Sequence, residues 1–75
     1  MSRDEDRKKF VELAEKRVSK TLKDIKLIGN LSNKSNYSYT EQDVKTIYSA
    51  LKKALEDMKI RFESNGASEE DTFRL

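Results

Sequence analysis

The chain has 75 residues, of which 40% are charged and 35% hydrophobic, and a formal charge of +2. A chain this short makes one small domain whose isolated core is marginal. It holds no Cys and no His, which excludes disulfides, thiolate chemistry and nearly all zinc sites, so oligomerisation or partner binding is the expected route to a closed core.

No stretch approaches the run of about 20 apolar residues that spans a bilayer. The first residues, Met1 to Asp6, are charged and lack the apolar segment of a signal peptide. A cytoplasmic protein without membrane contact is expected, and the absence of Cys fits that compartment. Charge is unevenly spread. Lys16, Arg17, Lys20, Lys23, Lys26 and Lys34 face only Asp24 in the middle of the chain, whereas Glu63, Glu69, Glu70 and Asp71 dominate its end.

The first predicted helix covers about 3–29. Ser2 and Glu5 have the spacing of a capping box, and acids fill the first turn, where the helix dipole favours them. Apolar residues then recur at Phe10, Val11, Ala14, Val18, Leu22, Ile25 and Ile28. Steps of three and four place them on one face. As heptads, Val11, Val18 and Ile25 take position a, and Ala14, Thr21 and Ile28 take d. Gly29 and Asn30 both tolerate the left-handed conformation that ends many helices, although one further turn to Ser32 or Asn33 is also compatible.

A polar loop follows. Asn30, Asn33, Asn36, Tyr37 and Tyr39 are its candidate partner-contacting residues, since Tyr and Asn combine rigid amphipathic contact with adaptable hydrogen bonding. The structural alternative is that the asparagines cap the first helix and the tyrosines seal the end of a bundle. Leu27 and Leu31 lie off the main stripe, where the loop would cover them, with Tyr37 and Tyr39 as the covers.

The second predicted helix covers about 41–63. Thr40 and Asp43 form a second capping box, and Tyr39 with Val44 a candidate hydrophobic staple. Its stripe is Val44, Ile47, Tyr48, Leu51, Ala54, Leu55, Met58 and Phe62, and Ser64-Asn65-Gly66 should end it. Residues 64–75 are expected to be a flexible acidic tail.

These elements predict an all-α fold: an antiparallel helical hairpin forming a single domain over 1–63. One helix against one other covers only part of each stripe, so the hairpin is expected to dimerise into a four-helix bundle. The expected core and dimer interface is Val11, Val18, Leu22, Ile25, Ile28, Val44, Ile47, Leu51, Leu55, Met58 and Phe62. The expected function is protein–protein interaction or regulation by a homodimer, without catalysis, metal or cofactor. Glu12 with Glu15 and Glu41 with Asp43 are explained by a solvated face and a helix cap, and a thin bundle offers no desolvated cleft to shift a carboxylate.

The alternative function is binding of RNA or DNA. Lys9, Lys16, Lys20 and Lys23 share the face of the first helix opposite its stripe, and phosphate backbones bind such rows by counterion release. No aromatic residue accompanies these lysines, as one usually does in nucleic-acid sites.

The segment Lys23-x-x-Lys26-Leu27-Ile28-Gly29-Asn30-Leu31-Ser32-Asn33, continued by Asn36-Tyr37-Ser38-Tyr39-Thr40-x-x-Asp43-Val44, resembles a largely uncharacterised family of small bacterial helical-hairpin proteins. The resemblance covers about Arg17 to Phe62. It implies a hairpin fold and a bacterial or mobile-element origin, and it brings no activity, ligand or catalytic residue. In architecture alone, the expected dimer is similar to the plasmid-encoded RNA-binding hairpins that control copy number, whose four-helix dimers bind RNA across paired first helices.

Overall fold

The computed structural model describes residues 2–66 of the chain. It divides into two units, Met1–Ser38 and Tyr39–Leu75. The described residues are all-α. The first unit holds α1, Arg3–Gly29, and a single 3-10 turn, Asn30–Ser32; the second holds α2, Glu41–Glu63.

In the first unit, α1 starts where the sequence places its cap. Ser2 is extended, and its Oγ accepts the N–H of Glu5 at 3.2 Å. The Ser2 hydroxyl also reaches the Glu5 carboxylate at 3.5 Å. Asp4, Glu5 and Asp6 occupy the first turn and Lys26 the last, both matched to the helix dipole.

The α-helix ends at Gly29, as expected, but without a left-handed residue there. Gly29 (φ −60°) and Asn30 (φ −65°) are right-handed, and the chain tightens into the 3-10 turn before Asn33 becomes extended at ψ 101°. Glycine permits a left-handed stop without requiring one. The terminator here is Asn33. Its Oδ1 accepts the N–H of Ser35 at 2.9 Å, and its carbonyl accepts those of Asn36 and Tyr37 at 3.1 and 3.0 Å. These bonds offer the backbone a turn in place of further helix. The loop does not bury Leu27, Leu31 or Tyr37, which all stay about half exposed.

In the second unit, α2 opens on a complete capping box. The Asp43 N–H donates to Thr40 Oγ1 at 3.1 Å, and the Thr40 N–H donates to Asp43 Oδ2 at 2.9 Å. Tyr39, just before the cap, is half-buried. The helix closes as the sequence predicts. Asn65 (φ 58°) and Gly66 (φ 84°) are both left-handed. The Gly66 N–H donates to the Arg61 carbonyl at 2.6 Å, and the Asn65 N–H to that of Phe62 at 3.1 Å. This is the paired-bond closure of a Schellman motif, with Asn65 in the place that glycine most often takes. Of the flexible acidic tail expected over 64–75, Ser64, Asn65 and Gly66 form this closure, and 67–75 lie outside the described residues.

Candidate interaction surfaces

None of the described residues is buried. The stripe on each helix is therefore a surface. On α1, the unbroken helix lines up Val11, Val18, Leu22, Ile25 and Ile28 with Phe10 and Ala14. Val18, Leu22, Ile25 and Ile28 are exposed, from 37% at Ile28 to 62% at Leu22, while Val11, Leu13 and Ala14 are half-buried. Arg7 extends the stripe by one turn, its guanidinium 5.9 Å from the centre of the Phe10 ring. That contact is a cation–π approach at an exposed site. The i, i+3 spacing of Arg7 and Phe10 would have revealed it.

On α2, Val44, Ile47, Leu51, Leu55, Met58 and Phe62 form one face with Tyr48 and Ala54. All of the large members but Leu51 are exposed, and Tyr48 most of all at 65%. An open hollow of about 720 Å³ lies at the C-terminal end of this face, lined by Ala54, Asp57, Met58, Arg61, Phe62, Asn65 and Gly66. Asp57 in its wall is already bound to Lys53 at 3.4 Å. The hollow thus continues the stripe rather than forming a separate polar site.

The four lysines proposed as a nucleic-acid stripe do share one exposed face of α1. They are not equivalent. Lys20 pairs with Asp24 at 2.9 Å, both side chains being about half exposed or more. An acid therefore stands at the edge of the row. The Lys-to-Asp spacing of four was present in the sequence. Exposed i, i+4 pairs stabilise by only about 0.3–0.5 kcal/mol, so the bond alters the charge pattern more than the fold.

The loop residues separate into distinct roles. Asn33 spends its side chain on the Ser35 N–H, and Asn30 continues α1 into the 3-10 turn. Asn36 and Tyr37 are held by their backbones, leaving their exposed side chains for contact. Tyr39 adjoins the Thr40 cap. The turn thus commits the Asn33 side chain and leaves those of Asn36 and Tyr37 exposed.

Among the described residues, no three His, Cys, Asp or Glu side chains lie close enough to hold a metal ion. No described helix is long and apolar enough to cross a membrane. No family model matches the chain, and neither does any curated protein or solved structure.

Proposed function

We propose that this chain is a protein–protein interaction module that works as a homodimer without catalysis. In this reading α1 and α2 pack as an antiparallel hairpin and two hairpins close a four-helix bundle. The observation that carries it is the exposure of two continuous apolar stripes on well-capped helices. Apolar faces of this length gain about 25 cal/mol per Å² when they leave water, and large exposed patches of this kind mark interaction sites.

The heptads support the hairpin. With a connection of about ten residues, antiparallel pairing sets Ile25 against Ile47, Val18 against Ala54, and Ile28 against Val44. Met58 then meets Ala14, a large residue beside a small one, and Leu51 meets Thr21. Every pair follows from a single alignment of the helices.

Light scattering during gel filtration tests the reading. The expected mass is twice the 8.8 kDa of one chain. A monomer that stays helical and melts cooperatively at micromolar concentration overturns it.

A second reading rests on the exposed lysines of α1. Lys9, Lys16 and Lys23, with Lys20 held by Asp24, would bind nucleic-acid phosphates on the face opposite the stripe. It needs the same dimer to present the row twice, and it ranks second because no aromatic or amide side chain accompanies the lysines.

A further inference from the structure

The apolar face of α2 is one row wider than that of α1. Beside Val44, Leu51 and Met58 at a, and Ile47 and Ala54 at d, α2 carries Tyr48, Leu55 and Phe62 along e at intervals of seven residues. The matching row of α1 is Lys8, Glu15, Leu22 and Gly29, with Leu22 its one large apolar member. A helix seated on a and d of α2 leaves the e row at the rim. Tyr48 and Leu55 are among the more exposed apolar side chains of the chain.

The row is its own complement. A two-fold axis through Leu55, perpendicular to α2, sets Leu55 against itself and Tyr48 against the partner's Phe62. The same operation acts on the charged flank of α2. It brings Lys45 alongside the partner's Glu63, and Lys52 alongside the partner's Glu56. Each pair is offset by two residues, ~3 Å along the axis, within reach of these long side chains. Like-charged approaches remain between Lys52 and the partner's Lys59, and between Glu56 and the partner's Glu56.

We propose that α2 pairs antiparallel with α2 of a second copy through Tyr48, Leu55 and Phe62, with Leu55 on the two-fold axis. The proposal rests on the homodimer reading and assigns its seam. Closed two-fold dimers require such a self-complementary patch, and only pairing about Leu55 sets all three apolar members of the row against one another.

The chain has no cysteine, so an introduced one is unique. Full-length Leu55→Cys, oxidised at micromolar concentration, is expected to convert mostly to a disulfide-linked dimer. Tyr48→Cys alone is expected to stay unlinked, because its copy lies fourteen residues away, ~21 Å along the axis. Mixing Tyr48→Cys with Phe62→Cys is expected to give a linked heterodimer, and decides the matter if Leu55→Cys itself dissociates. Self-linking of Tyr48→Cys, or no linking in the mixture, overturns the seam. A dimeric mass with no such links discards the seam and leaves the homodimer standing. A monomeric mass discards both.

Discussion

Thr40 and Asp43 exchange two hydrogen bonds, each residue's backbone N–H donating to the other's side chain at 2.9 and 3.1 Å. The pair fixes both the first residue of α2 and the angle at which the chain enters it. At Ser2 the arrangement is looser: the hydroxyl accepts the Glu5 N–H and points its proton at the carboxylate.

Thr40→Ala should therefore cost about 1 kcal/mol. Asp43→Ala should cost a similar amount, and the double variant less than the sum, because each change strands the same pair of bonds. Ser2→Ala should cost less than Thr40→Ala. Thermal melts followed by circular dichroism at one chain concentration measure all four, since the midpoint of an associating protein shifts with concentration. Additive costs at Thr40 and Asp43 would contradict the reciprocal geometry.

The two glycines should respond in opposite directions. Gly29 is right-handed with nothing within 4 Å of a built Cβ. Gly29→Ala should stabilise by about 0.4–1 kcal/mol through the unfolded chain. Gly66 has equal space but φ 84°. Gly66→Ala should destabilise, by about 1 kcal/mol, because a Cβ is strained there. Melting midpoints that move the same way for both would contradict the two backbone conformations.

Leu51→Asp should abolish association and much of the helix signal, since it puts a charge at the centre of the α2 stripe. Light scattering and far-ultraviolet circular dichroism read both effects. A Leu51→Asp variant with unchanged mass and helicity would mean that the stripe is not core.

The lysine row separates the two functional readings. If α1 binds nucleic acid, affinity for RNA or DNA should fall steeply with salt, and Lys16/Lys20/Lys23→Glu should remove it. Asp24→Asn should then strengthen binding by releasing Lys20, while changing stability by less than about 0.5 kcal/mol. Absence of binding at low salt removes the nucleic-acid reading.

The starts of both helices and the end of α2 were legible because their signals act within one turn. Ser2 and Thr40 open α1 and α2, and Asn65-Gly66 closes α2, as spacing predicts. The end of α1 was less legible. Gly29 allows two backbone conformations, and the choice fell to the Asn33 side chain four residues on. The apolar stripes were plain from their period. The cover expected over Leu27 and Leu31 was not found, because apolar spacing says which residues share a face and not what lies over it. The Lys20–Asp24 bond was readable from spacing, but its effect on a supposed binding row shows only when the charges are placed together.

The N-caps of α1 and α2, the Asn33 turn and the two ion pairs found among the described residues join positions no more than four apart. Instructions written at that range act before any long loop must close, so each helix can be populated early in folding, on the microsecond scale of helix–coil relaxation. These signals set where each helix begins and ends, while the apolar stripes hold the helices against water. Helix content and molecular mass should therefore fall together as concentration drops.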